Sequence, residues 1–285
     1  MSELLLWKRL HRELGRLVDA FPGVAGVCVR DLGTDQGVAI NADEVFPTAS
    51  TIKIHILARL FSQAEAGELD LARRCLIDRA RVPGSGVLAY LEDAAELTVR
   101  DVAVLMIIVS DNAATNLCID WATIDGTNAM LRQLGITQTR LRRKMQDHGA
   151  ILKGQENVAT PSEIVRFLEI LHRAEGLSPY VCEETLKVLK KPKRGYLTPG
   201  LPPDIVLANK PGGMERVRND AGIVYLTRRP YAICVMSKYG QVDATEQERF
   251  IAEVARAVHV PMAALDVTSP FGQGLPPQPL GGDAR

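Results

Sequence analysis

An excess of charge of either sign is missing from this sequence. Its 34 Lys plus Arg residues are matched by 34 Asp plus Glu, so no overall field draws the chain to nucleic acid or to an anionic membrane. Long apolar runs are missing as well. Stretches such as Val102 to Val109 fall well short of the roughly 20 residues that a membrane-crossing helix needs, and no membrane segment is expected. The five histidines, His11, His55, His148, His172 and His259, stand isolated without a pair at metal-ligand spacing, which argues against a metallohydrolase. No cofactor is expected. Cysteine is scarce: Cys28, Cys75, Cys118, Cys182 and Cys234 form no C-x-x-C motif, and their odd number cannot pair completely within one chain. Free thiols in a reducing compartment are the expectation. The first twenty residues carry charges every few positions and lack a small-residue cleavage site after an apolar block, so they read as an amphipathic helix and not as a secretory signal. A cytoplasmic location follows as an expectation, with export by another route left open. The expected partner is a small molecule or a peptide, and the expected state is a monomer.

What is present suffices for a sizeable core, since 46% of 285 residues are hydrophobic. Leu4, Leu5, Leu6, Leu10, Leu14, Leu17 and Val18 recur at helical spacing, which predicts a helix over about 3–20 that stops at Phe21, Pro22 and Gly23. Two β-prone runs follow, "VAGVCVR" and "GVAI", separated by turn residues, and they read as a hairpin. "FPTASTIKIHILARLFSQAEAG" then turns helical from about Ser50 to Gly67. Residues 67–200 read as mostly helical, and strand patterns return in "DIVLANK", "AGIVYL" and "YAICVMS" before a last amphipathic helix. The predicted fold class is α/β of the α+β kind, an antiparallel sheet flanked by N- and C-terminal helices with an inserted all-α domain. The expected division is 1–66 plus 201–262 for the sheet domain, 67–200 for the helical domain, and 263–285 as a flexible tail rich in Pro and Gly.

Three short elements carry chemistry. Of nine serines only Ser50 has a lysine three positions later, Lys53, and in a helix the two share a face, so the amine can reach the hydroxyl. A desolvated lysine loses its proton more easily and can serve as a base; read alone, the same lysine is equally an ordinary snorkelling side chain. "SDN", Ser110 to Asn112, lies between two helices and by itself reads as a cap. "NKPGG", Asn209 to Gly213, ends a predicted strand and by itself reads as a turn.

Taken together, in this order, with 60 residues from Ser50 to Ser110 and 100 from Ser110 to Lys210, the three elements resemble the S-x-x-K, S-D-N and K-T-G set of class A β-lactamases and penicillin-binding proteins. "FPTASTIK", "LMIIVSDNAATN" and "ANKPGG…NDAGIVYL" are similar to the matching blocks of class A enzymes, and the likeness spans about residues 15–260. The resemblance implies a β-lactamase/transpeptidase-like fold and a serine hydrolase working through an acyl-enzyme. It assigns Ser50 as nucleophile, Lys53 as its base or relay, and Ser110 as proton donor to the departing ring nitrogen. Asn112 would bind the substrate's side-chain amide, and Lys210 would sit near Ser110 and attract the substrate carboxylate. The N–H groups of Ser50 and Gly213, with Gly212 beside them, would form the oxyanion hole.

Two departures stand out. Pro211 replaces the usual Thr or Ser, so a hydroxyl that would bind the substrate carboxylate is missing, and Arg216 and Arg218 are candidate substitutes or simply a solvated strand face. Aligning the loop from Thr139-Arg140-Leu141 to Thr160-Pro161 puts Met145 where class A enzymes carry the glutamate that activates the deacylating water. Asp147, His148 and Glu156 are nearby, with Asp147 and Glu156 as possible bases or as salt-bridge partners of Arg140 or Arg143. The expected function is hydrolysis of β-lactams or related amides and esters. The alternatives are a penicillin-binding-protein-like peptidase or esterase for D-amino-acid substrates, and a β-lactam-binding protein that deacylates slowly.

Overall fold

The computed structural model describes residues 2–77, 86–93 and 96–276. The chain opens with helix α1 (Ser2–Ala20) and the hairpin β1 (Val24–Asp31) and β2 (Gly37–Ile40). β3 (Phe46–Pro47) leads through a 3₁₀ turn, Ala49–Ile52, into α2 (Lys53–Glu65). Then follow β4 (Arg74–Leu76), β5 (Glu96–Thr98), α3 (Val99–Ile108), α4 (Asn112–Ala122), α5 (Ile124–Gln133) and α6 (His148–Leu152). β6 (Val158–Ala159), α7 (Pro161–Arg173) and α8 (Pro179–Leu189) precede the strands β7 (Val206–Met214), β8 (Val217–Tyr225) and β9 (Tyr231–Lys238), and α9 (Ala244–Asp266) follows.

The main sheet has the antiparallel order β2-β1-β9-β8-β7, so strands from the two chain ends meet at its centre. Alternation along β9 shows how both faces are covered. Tyr231, Ile233 and Val235 point into a core with Trp7, Leu10 and Leu14 of α1 and Ile251, Val254 and Val258 of α9. Ala232, Cys234 and Met236 point the other way, into a larger core with α2, α7 and α8. Helix α2 runs through that second core with its first six residues all buried, the polar Lys53 and His55 among them.

Three details differ from the sequence expectation. Phe46 and Pro47 are extended and pair with β6, because the residue before a proline disfavours helix, and α2 proper begins at Lys53 and not at Ser50. The stretch 67–200 contains the β4–β5 ladder and β6 beside its helices. At the other end α9 runs through Pro261 to Asp266, into the segment expected to be tail, where the Asp266 carboxylate accepts hydrogen bonds from the Arg228 and Arg229 N–H groups. Thr268 bridges to Gly274, and the tail expectation for 277–285 lies outside the described residues.

Candidate active site

Three elements converge on Ser50. The turn that carries it is pinned by the Thr48 N–H and hydroxyl, which both donate to Asn157 O (2.8 and 3.1 Å), and by the Thr51 hydroxyl donating to Thr48 O (2.7 Å). Ala49, just before the serine, sits at φ 46° in the left-handed region, a conformation held only where the surroundings enforce it. Ser110 lies two residues beyond the end of α3, at φ 55°. Asp111 then caps α4, accepting from Ala114 N (2.9 Å), and its second oxygen takes Leu88 N (2.8 Å). The expected cap is therefore real, and it serves to aim Ser110.

The third element is β7, an edge strand. Lys210, Gly212 and Met214 pair with β8 alternately with Pro211 and Gly213, so the backbone groups of one set face β8 and those of the other face outward. Pro211 has no N–H to give a ladder, and it occupies an outward position, as proline in a sheet must. Its carbonyl accepts from Lys210 Nζ at 2.8 Å, and the same alternation turns the Gly213 N–H to the outer edge. Gly212 lies against the serine turn: a Cβ there would stand 2.8 Å from Ser50 N and 2.9 Å from Thr48 O. Only glycine lets the strand come this close.

The side chains form a chain of hydrogen bonds. Ser110 Oγ donates to Ser50 Oγ at 2.9 Å, and Ser110 Oγ in turn accepts from Lys53 Nζ (2.9 Å) and Lys210 Nζ (3.1 Å). Lys53 Nζ also donates to Ser110 O (2.9 Å) and Asn112 Oδ1 (3.2 Å). The direct Lys53 to Ser50 contact that the i, i+3 spacing suggested is thus replaced by a route over Ser110, because the serine sits in the 3₁₀ turn before the helix. Burial pushes the Lys53 pKa well below the usual lysine range, helped by the nearby charge of Lys210. Burial likewise lowers Lys210 to about 7, against the opposing pull of Asp220. Shifted in this direction, the Lys53 amine gives up its proton more readily than a solvated lysine, and once it surrenders one of its three donated bonds it can accept a proton from the Ser110 hydroxyl.

These groups open into a cleft of about 710 Å³, lined among others by Ser50, Ser110, Asn112, Lys210 and Gly213. Arg216 and Arg218 line it too. Arg216 donates to Gly240 O (3.3 Å), while Arg218 pairs with Glu248 (3.3 Å) and donates to Met214 O and Val217 O. Met145 lies on a loop clasped by Asn116, whose amide oxygen accepts from Met145 N (2.7 Å) and whose amide nitrogen donates to Met145 O (3.2 Å). Asn116 stands one helical turn beyond Asn112 on α4. The two suggested bases are occupied elsewhere. Asp147 caps α6 by accepting from Ala150 N (2.9 Å), and Glu156 pairs with Arg143 at 2.6 Å while accepting from Asn157 N. Neither lines the cleft around Ser50. Among the described residues no cluster of ligating side chains could hold a metal ion.

Sequence reasoning missed Tyr196, which lines the cleft, and the buried Asn209–Asp220 pair behind it. Asp220 accepts from Asn209 Nδ2 (2.9 Å), Tyr196 N (2.7 Å) and Leu197 N (3.0 Å). The signal present was an aspartate inside an otherwise apolar strand, "NDAGIVY", where an ionisable group is buried only with partners.

Known proteins are similar to this chain in sequence and fold. The carbapenem-hydrolyzing beta-lactamase KPC of Klebsiella oxytoca is 29% identical over 90% of this chain and 89% of its own length. Among solved structures, the beta-lactamase from Sphaerobacter thermophilus superimposes with a TM-score of 0.81 at 29% identity, covering 90% of this chain and 98% of its own. PBP-A gives 0.79 at 27% identity over 88% and 95%, and a mutant of it has been captured as an acyl-enzyme complex with penicillin-G. The family match runs over residues 9–260 and takes in the serine turn, the Ser110 segment and β7 alike, so the chain belongs to the beta-lactamase enzyme family.

Proposed function

We propose that the chain opens β-lactams by acylating Ser50 and hydrolyses the resulting ester slowly. In acylation the two hydrogen bonds reverse, Ser50 donating to Ser110 and Ser110 to the deprotonated Lys53 amine, so that as Ser50 Oγ attacks the ring carbonyl its proton is taken by Ser110 while Ser110 gives its own to Lys53. The ring C–N bond then breaks, and the proton returns over Ser110 to the departing nitrogen. Negative charge on the carbonyl oxygen is met by the N–H groups of Ser50 and Gly213, a contribution of roughly a few kcal/mol per donor. The observation that carries this reading is the unbroken set of hydrogen bonds linking Ser50, Ser110, Lys53 and Lys210 at 2.9 to 3.1 Å.

Slow release is supported by residue 145. Hydrolysis of the ester needs a water and a group to take its proton, and the methionine thioether at that position is no base. Asp147 and Glu156 are committed to a helix cap and an ion pair. The same feature supports a second reading, a penicillin-binding-protein-like peptidase or esterase, to which the likeness with PBP-A adds weight.

Mixing the protein with penicillin G should give a burst near one equivalent, followed by a much slower steady state in which intact mass finds mostly acylated protein. Ser50→Ala should abolish labelling. Met145→Glu should raise the steady-state rate by an order of magnitude or more. Labelling of the Ser50→Ala variant would overturn the nucleophile, and a linear progress curve with unmodified protein would overturn slow release.

A further inference from the structure

The substrate's carboxylate lacks an obvious partner in this cleft. In the family pattern a hydroxyl follows the β7 lysine, and here Pro211 offers neither a hydroxyl nor an N–H. The outer edge of β7 has another hydroxyl close by. A Cβ built at Gly213 would stand 2.9 Å from the Tyr196 hydroxyl and 3.3 Å from Arg218 Nη1, so two donors from different elements converge on the backbone of the proposed oxyanion strand. Both residues line the cleft.

Tyr196 is held for such a role. Its N–H and that of Leu197 are both gripped by the buried Asp220 carboxylate, which fixes the ring's origin independently of any ligand. The described residues make no hydrogen bond to its hydroxyl, while Arg218 already gives one edge to Glu248 and one nitrogen to two carbonyls. Burial raises the phenol's pKa, so at neutral pH the group keeps its proton and remains a donor. An anion set beside Gly213 would accept from the phenol and lie against the guanidinium, a charge-assisted pairing in a half-buried setting.

We propose that the Tyr196 hydroxyl, with Arg218 beside it, binds the carboxylate of β-lactam substrates in place of the hydroxyl that Pro211 removes. Tyr196 is thereby a specificity residue: it favours acyl donors with a carboxylate next to the scissile ring nitrogen over uncharged ones. This inference rests on acylation of Ser50.

The test is a cycle between Tyr196→Phe and the substrate's own carboxylate. The second-order acylation rate constant is measured by intact mass with penicillin G and with penicillin G methyl ester, for both proteins. Losing a hydrogen bond to a charged group should slow penicillin G roughly tenfold or more, and the ester should react with the two proteins alike. The thermal midpoint should stay unchanged, since the hydroxyl holds nothing in the fold. An equal loss on both substrates, or no loss on penicillin G, would overturn the role of Tyr196 and leave Ser50 acylation standing. Failure of both proteins to label with either substrate would overturn the acylation reading itself.

Discussion

His55 sits two residues beyond Lys53 on α2, fully buried, and neither ring nitrogen has a hydrogen-bond partner at bonding geometry. Its ring lies 4.5 Å from that of Phe167, so it packs as an aromatic and not as a polar group. Burial pulls its pKa from 6.5 down to about 4. Because the folded value is depressed, the unfolded chain binds the proton first, and stability is lost as pH falls from about 6.5 toward 4. The size of that loss is about 3 kcal/mol. His55→Leu should therefore raise the thermal midpoint and flatten its decline between pH 6.5 and 4, while penicillin G still labels Ser50; an unchanged pH profile would show that the proton loss lies elsewhere. The contrast with Lys53 explains what a sequence reveals at this scale. Ser50, Lys53, Ser110 and Lys210 are legible because their three short motifs, in this order, resemble those of class A β-lactamases and penicillin-binding proteins. Tyr196 is not, since it reaches Gly213 from a loop with no spacing rule, and the core role of His55 is set by neighbours distant in sequence.

Most elements follow from local patterning. The period of α1, the stop at Gly23 and the returning strands after residue 205 are all legible because burial repeats with the geometry of helix or strand. Cross-strand register is not legible, and it has a consequence for the thiols. Cys28 of β1 lies opposite Cys234 of β9, a juxtaposition that no spacing in the sequence suggests. Both remain free, and burial pushes the Cys28 thiol up to about 12 and raises that of Cys234 as well, which suppresses the thiolate that disulfide exchange requires. Cys118 and Cys182 are likewise buried, and only Cys75 is partly exposed. Titration of the native protein with a thiol reagent should find one fast group, lost in Cys75→Ser, and five after denaturation. Fewer than five in the unreduced, denatured protein would mean that a bridge forms across β1 and β9.

For the molecule as a whole, the site is a place where the fold gives up stability. Lys53, Lys210 and Asp220 are all wholly buried, and a buried charge is costly even when hydrogen-bonded. Lys210 titrates near 7 when folded against about 10.5 in the open chain, so the unfolded state binds more protons across that interval and stability climbs as pH rises through it. Lys210→Met should raise the thermal midpoint at pH 6 and weaken this climb while destroying acylation. A variant less stable than the parent at pH 6 would show that the hydrogen bonds of Lys210 outweigh its desolvation. Helices α7 and α8, from the stretch 67–200, pack on strands of the main sheet, contacts that depend on tertiary packing and that no linear pattern records. One clasp remains to be followed to its end. Asn116 holds residue 145 through its backbone N–H and carbonyl, so the path of the loop is written without reference to the side chain that stands there. The Met145 side chain is free of that clasp and packs against the larger core. On the proposed function, exchanging the side chain at 145 therefore changes deacylation without altering the path of the loop that carries it.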